Sequence, residues 1–247
     1  FWTWDEGLQE VKSTFASALD RMREFPDFIF TATSTQYLEW IEKTDPSMFA
    51  EIKERVREGR FRIAGPWLIE SDTSLPSGEA LIRQGLYGQA YLKEKFGFYA
   101  STQLNVDAFG HSNAIPQILK TSGIENYVFM RPQLKGSALF RWQGDDGSRI
   151  NCVSLPGEYT TWTYETTKEE IEKAIRAAEE LSADEMLSFY GVGNHGGGPT
   201  IANIESIGQI QKLTEWQLEF SDPDTFFATN PCSDAPVRKD YLDHVAV

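Results

Sequence analysis

Apolar residues recur at three- and four-residue steps over positions 4–25, where Leu8, Val11, Phe15, Leu19 and Met22 form one stripe. That spacing predicts an amphipathic helix, which Pro26 stops. The apolar run 28–33 reads as a short buried strand. Ser34 is placed to cap a helix through Tyr37, Leu38 and Ile41, and Asp45-Pro46 opens another through Phe49, Ile52 and Val56. Gly59 ends that helix and 61–64 form a strand. The following loop, Gly65-Pro66-Trp67-Leu68-Ile69-Glu70-Ser71-Asp72, is expected to expose one aromatic ring and two carboxylates. Beyond it, Pro76-Ser77-Gly78-Glu79 opens a long helix to about Phe96, with Ser77 as cap and Leu81, Ile82, Leu86 and Leu92 on the buried side.

The second half repeats this alternation. Residues 102–106 switch between polar and apolar side chains, as a strand entering a core does, and Asp107 ends the run. Phe109-Gly110-His111 then turns the chain, and Ser112 or Asn113 can cap a helix through Ile115, Ile118 and Leu119. Pro116 falls in its first turn, where a missing N–H costs little. A strand at 127–130 ends at Arg131-Pro132-Gln133. The segments 139–143 and 149–155 flank the turn Gly144-Asp145-Asp146-Gly147 and read as a β-hairpin. Thr167 is expected to cap a helix to Leu181, with Glu169 and Glu170 near its positive end. A strand at 186–190 runs into the glycine-rich stretch 191–200, followed by a helix over 201–216 and a strand over 217–220. Strands and helices alternate about six times without a repeat or linker. The pattern predicts one α/β domain with a mostly parallel sheet and helices outside, as a barrel or an open doubly wound sheet.

Composition narrows the partners. With 247 residues, 40% hydrophobic and 24% charged, the chain can bury a large core. A net charge of -14 argues against nucleic acid, whose phosphates need a basic surface. The two cysteines, Cys152 and Cys232, form no disulfide framework and no zinc motif. There is no run of about eighteen apolar residues and no signal peptide, so no membrane association and a cytoplasmic location are expected. The chain starts at Phe1, without Met, inside the aromatic cluster Phe1, Trp2 and Trp4, and stops at Val247 after an apolar run. It reads as an internal piece of a longer polypeptide, truncated at both ends.

Several strands end in groups able to do chemistry: Asp107, Arg131, Asn194-His195, and the pair Glu70 and Asp72. The carboxyl ends of parallel strands are where such folds gather ligands. Each residue also has a plainer use. Asp107 can merely cap its turn, Arg131 can pair with a surface acid, and His195 can satisfy a backbone turn. The glycine-rich run can be a flexible connection; it is neither a Walker loop nor a dinucleotide fingerprint. Together these groups suggest a pocket holding carboxylates, one arginine and one histidine, and they name no substrate.

The stretch Asp107-Ala108-Phe109-Gly110-His111 with Ile115-Pro116-Gln117-Ile118-Leu119 resembles the nucleophile motif of glycoside hydrolase family 38, the retaining α-mannosidases. Four further stretches agree, in the family's order: Trp4-Asp5-Glu6-Gly7, Leu75-Pro76-Ser77-Gly78-Glu79, Phe129-Met130-Arg131-Pro132-Gln133 and His195-Gly196-Gly197-Gly198-Pro199-Thr200. The likeness is greatest to the bacterial-type branch. It implies a mostly parallel seven-stranded β/α barrel-like catalytic domain, incomplete here, continued by a helical bundle and β-sandwich domains that this chain lacks. The implied substrate is an α-mannoside oligosaccharide, and a homo-oligomer of the full-length protein is left open. By the same resemblance Asp107 would be both nucleophile and ligand of a catalytic zinc, forming a covalent glycosyl-enzyme that water later hydrolyses. Trp2 would floor the sugar site, Arg131 would hold the nucleophile and a sugar hydroxyl, and Trp67 and Asp72 match loop positions at the site.

Two departures qualify that expectation. The family's first two zinc ligands lie in a His-x-Asp-Pro motif directly before the position of Phe1, and a third, a histidine, lies beyond Val247. One of four expected ligands is therefore present, whereas a zinc site needs at least three from protein. Weak zinc binding and little hydrolysis by the chain alone are expected. Asn194 stands where bacterial-type members have Asp, in the region of the general acid/base, and an amide cannot shuttle a proton. His195 or another acid would have to act, or the protein is a catalytically dead carbohydrate-binding homologue. A metal-dependent polysaccharide deacetylase is a further alternative, though the paired-His motif of such sites is missing.

Overall fold

Thr3 starts the first helix with a reciprocal cap, its side chain accepting from the Glu6 N–H while the Glu6 carboxylate accepts from the Thr3 N–H. The computed structural model describes residues 3–134, 138–193, 197–239 and 242. In chain order the elements begin with α1 (Trp4–Glu24), β1 (Phe30–Ala32), α2 (Thr35–Thr44), α3 (Pro46–Arg57), β2 (Phe61–Ile63), α4 (Gly78–Phe96) and β3 (Thr102–Asn105). They continue with α5 (Ile115–Thr121), β4 (Asn126–Phe129), β5 (Leu139–Gln143), β6 (Arg149–Ser154), α6 (Tyr164–Leu181), α7 (Ile201–Ile210), α8 (Pro223–Thr229) and β7 (Val237–Arg238). The chain divides into two units. One comprises Phe1–Thr31, Tyr37–Arg62 and Gly157–Asp222, and the other Ala32–Gln36, Ile63–Pro156 and Pro223–Val247.

In the first unit α1 buries the predicted stripe through Val11, Phe15, Leu19 and Met22. Phe15 meets Phe61 edge-on at 5.3 Å between ring centroids. Asp45 caps α3 as expected, accepting the Met48 N–H at 3.1 Å. The cap of α6 is Thr163, not Thr167, which lies one turn inside the helix and donates back to the Thr163 carbonyl. Thr200 caps α7, which is shorter than expected and gives way to a 3₁₀ turn at Gln211–Leu213. The strands expected at 186–190 and 217–220 do not form. A side chain takes the place of a ladder in the second segment, where Gln211 donates to the Trp216 carbonyl and accepts the Leu218 N–H.

In the second unit five strands lie in the order β3-β4-β6-β5-β7. β3, β4 and β6 run parallel, while β5 and β6 form the predicted antiparallel hairpin. With β1 and β2 in a sheet of two, the described strands make sheets of two and five with mixed directions. The α/β class holds, but a seven-stranded parallel barrel is not what these strands show. The polar end of β5 (Gln143) and start of β6 (Arg149) around the Asp145-Asp146 turn favour a local hairpin over a crossover.

Trp67 corrects the expectation of an exposed aromatic loop. It is 0% exposed and belongs to the core cluster with Tyr127, Phe129, Phe140 and Trp142. The α4 stripe is also rotated from the one predicted, since Leu81 and Leu92 are buried while Ile82 and Leu86 are 43% and 59% exposed. Its inner face instead carries Gly85, Gly88 and Gln89. The Gln89 amide is matched on both sides by Ala100, donating to its carbonyl at 2.8 Å and accepting its N–H at 3.0 Å. Neither Ser112 nor Asn113 is the cap of α5, which starts after Ala114; the Ser112 hydroxyl accepts the Ala114 N–H at 3.3 Å, short of the helix. Among the described residues no helix is long and apolar enough to cross a membrane.

Candidate active site

The polar positions of β3 are buried, because they hold a loop. Gln103 accepts the Trp67 N–H at 3.3 Å, and Asn105 donates to the Ser71 carbonyl at 2.7 Å. Two residues further, the Asp107 N–H donates to Glu70 Oε1 at 2.9 Å. Positions two apart share one face of a strand, so Gln103 and Asn105 together lay the 67–71 segment along β3, and the Asp107 N–H in the turn just past its end holds Glu70.

Parallel register does the rest. Asn105 on β3 is aligned with Phe129 on β4. Asp107 and Arg131 each lie two residues past those partners, so both leave the same edge of the sheet side by side. Arg131 Nε donates to Asp107 Oδ1 at 2.8 Å, with the two side chains 38% and 44% exposed. The guanidinium also lies over the Phe109 ring, 5.4 Å from its centroid. A carboxylate is thus held in orientation yet reachable from solvent, at the carboxyl edge where α/β folds place ligand groups.

Beneath this pair sits His111, 3% exposed. Its Nε2 is 2.6 Å from the Arg131 carbonyl oxygen, and its Nδ1 is 2.8 Å from the Tyr127 hydroxyl and 3.1 Å from Thr73 Oγ1. Burial depresses its pKa to about 4, against smaller upward pulls from the Arg131 carbonyl and the charge of Asp72. Glu70 is half-buried as a residue, but its carboxyl end is desolvated, which pushes its pKa up to about 7; the Asp107 N–H opposes that rise and the Asp107 charge adds to it. Asp72 is exposed, and its Oδ1 accepts the N–H groups of Ser74 and Leu75, both at 2.8 Å, which fixes the turn.

Trp2, Asn194 and His195 lie outside the described residues. The glycines beyond them are visible in the first unit, where Gly197 N–H donates to Thr14 Oγ1 at 3.0 Å. They border a cleft of about 480 Å³ lined by Ser13, Thr14, Arg21, Gly198 and Thr200. Among the described residues no three His, Cys, Asp or Glu side chains gather to hold a metal ion. Both ring nitrogens of His111 are engaged and one oxygen of Asp107 is taken by Arg131. A zinc ion therefore does not fit on the described residues alone. Sequence reasoning brought Asp107 and Arg131 to one rim, and the structure joins them. It passed over His111 and Phe109 as turn residues. The available signal was that a histidine, one of only three in the chain, lies in the same short motif as the carboxylate.

The sheet and its edge define an α/β domain with a carboxylate–arginine centre. The family described as "Glycosyl hydrolases family 38 N-terminal domain" matches residues 1–235, and the chain belongs to that family. It is 31% identical over 92% of its length to Alpha-mannosidase G of Dictyostelium discoideum, and 30% identical over 88% to human Alpha-mannosidase 2C1. It spans about one fifth of each of those relatives, 21% and 22% respectively. Among solved structures, the crystal structure of an alpha-mannosidase from Enterococcus faecalis V583 superposes with a TM-score of 0.82 at 21% identity, covering 98% of this chain and 29% of that one. A putative polysaccharide deacetylase from Mycobacterium smegmatis shares the fold at a TM-score of 0.63 and 13% identity, covering 98% of this chain and 84% of that one.

Proposed function

We propose that the chain is the nucleophile-bearing part of an enzyme that hydrolyses terminal α-mannosidic linkages with retention, in a domain whose complete form has the family's barrel-like architecture. The observation that carries this is the Asp107–Arg131 pair, a carboxylate fixed through one oxygen and exposed to solvent. In the first step an Asp107 oxygen bonds to the anomeric carbon as the bond to the leaving oxygen breaks, and that oxygen takes a proton from an acid. In the second, water attacks the same carbon, the ester bond to Asp107 breaks, and the water's proton returns to the acid. Two inversions give net retention. Arg131 keeps the carboxylate aimed, which counts because small losses of alignment cost large factors in rate. Trp2 is the proposed floor of the sugar site, and Asp72 contributes by shaping its loop. The proton donor is His195 or another acid, because the amide of Asn194 cannot serve. Asp107 is the one residue of the chain proposed as a zinc ligand; a zinc would need donors that the described residues do not bring together.

The test is an aryl α-mannoside assay on the full-length protein with Asp107→Asn beside the native form. A loss of kcat on the order of 10³-fold or more is expected for a missing nucleophile, and a fluorinated, activated mannoside should leave a glycosyl mass on the peptide containing Asp107. Full activity of the variant would sink the proposal. A second reading, a carbohydrate-binding homologue without turnover, is favoured by Asn194 alone. Mannose binding with no hydrolysis, unrestored by Asn194→Asp, would support it instead.

A further inference from the structure

The buried ring of His111 joins three segments that the mechanism needs together. Its Nε2 meets the Arg131 carbonyl oxygen at 2.6 Å. A carbonyl only accepts, so Nε2 must carry the hydrogen. A ring so deeply buried stays neutral, which leaves Nδ1 as an acceptor. Two hydroxyls approach Nδ1, from Tyr127 at 2.8 Å and Thr73 at 3.1 Å. Thr73 has one hydrogen, and it is directed at the Gly110 carbonyl at 2.6 Å. Tyr127 is therefore the donor to Nδ1. The main chain of the same histidine donates to the Leu242 carbonyl, and the next residue, Ser112, donates to the Thr73 carbonyl. The ring is boxed by Phe129 and Tyr127, with centroids at 4.9 and 5.4 Å.

We infer that His111 is a positioning residue for the proposed reaction: held as the Nε2–H tautomer by Tyr127, it pins the Arg131 main chain and so sets where the guanidinium meets Asp107. This inference rests on the reading of Asp107 as nucleophile. Arg131 lies two residues past the end of β4, and its carbonyl meets the histidine ring there. The histidine holds that carbonyl from one side while the guanidinium reaches Asp107 on the other. Loosening the carbonyl would let the Arg131 Cα drift and misalign the carboxylate it aims. The Tyr127 hydroxyl matters in turn because, without it, the ring can put its hydrogen on Nδ1 and turn a lone pair towards the carbonyl.

Four variants of the full-length protein test this, each assayed well below its own unfolding temperature: Asp107→Asn, His111→Leu, His111→Gln and Tyr127→Phe. Glutamine can place an amide N–H near the position of Nε2 and donate to the Arg131 carbonyl; leucine cannot. The expected result is that kcat falls by roughly a hundredfold in His111→Leu and roughly tenfold in Tyr127→Phe, the scale of misplaced catalytic groups and of one lost orienting bond. KM should move less than kcat, and His111→Gln should recover most of the rate. Nitrogen NMR of the native ring should show Nε2 protonated and Nδ1 bare. Unchanged kcat in folded Tyr127→Phe, or an Nδ1–H tautomer in the native protein, overturns the inference even if Asp107→Asn is dead. A fully active Asp107→Asn shows instead that the nucleophile reading was at fault, and the role of His111 falls with it.

Discussion

A Cβ placed on Gly88 would lie 1.5 Å from the carbonyl oxygen of Pro66. The backbone of α4 therefore rests directly on the loop that carries Trp67 and Glu70, with no room for any side chain between them. Because the obstacle is backbone, the contact cannot yield by a rotamer change. Gly88→Ala should destabilise the fold by about 3 kcal/mol or more, at the upper end for overpacking. Thermal and denaturant unfolding would measure it; a variant as stable as the native protein would show that the loop is not held this way.

Arg131→Lys separates orientation from charge. Lysine keeps the positive charge and loses the planar fork that aims one N–H at Asp107. In the full-length protein kcat on an aryl α-mannoside should fall by roughly a hundredfold. Stability should change by less than about 1 kcal/mol, since both partners of the pair are substantially exposed and solvent screens them. Near-native kcat would mean that charge alone suffices.

Two groups under the site titrate against each other. His111 is neutral in the folded protein down to about pH 4 but would protonate near 6.5 when unfolded. The unfolded state then binds more protons, so this contribution is intact above pH 6.5 and is lost as pH falls towards 4. Glu70, with its pKa raised from 4.5 to about 7, works in the opposite sense: its contribution is intact below pH 4.5 and is lost as pH rises through 7. Unfolding free energies compared at pH 7 and pH 5 should therefore show His111→Gln losing less stability than native on acidification. Glu70→Gln should lose more. Identical pH slopes for the native protein and both variants would count against the burial of these groups.

Zinc added to the 247-residue chain should raise its unfolding temperature little. Ligand binding stabilises a fold only in proportion to occupancy, and the described residues gather no three donors. A rise of ten degrees or more at micromolar zinc would reveal a set of donors beyond those described.

The parts of the fold legible in the sequence were those set by local chemistry. α1 and α3 announced themselves through their apolar periodicity and stop signals, and the β5–β6 hairpin through its Gly-Asp-Asp-Gly turn. The errors arose where partners distant in sequence decide. Trp67 sits in a loop by its Gly-Pro context, yet β3 and α4 close over it. Ile82 and Leu86 look like core, yet Gly88 turns α4 so that a bare backbone faces inward. The pattern of strand ends puts Asp107 and Arg131 on one rim, but their contact depends on a strand register that no local pattern encodes, and only the family likeness leads one to expect it. His111, flanked by glycine and serine, reads as a turn residue, and its Tyr127 partner is sixteen positions away.

The hydrogen bonds from Gln103 and Asn105 to the loop have a practical corollary for redesign. Anyone altering substrate preference by grafting a new segment between β2 and α4 would take away the loop partners of two buried amides, the Trp67 N–H from the Gln103 oxygen and the Ser71 carbonyl from the Asn105 nitrogen, leaving them only their bond to each other and the Leu104 carbonyl. Strand and loop must be exchanged as one cassette, and the natural unit of diversification at this rim is longer than the stretch that would touch a sugar.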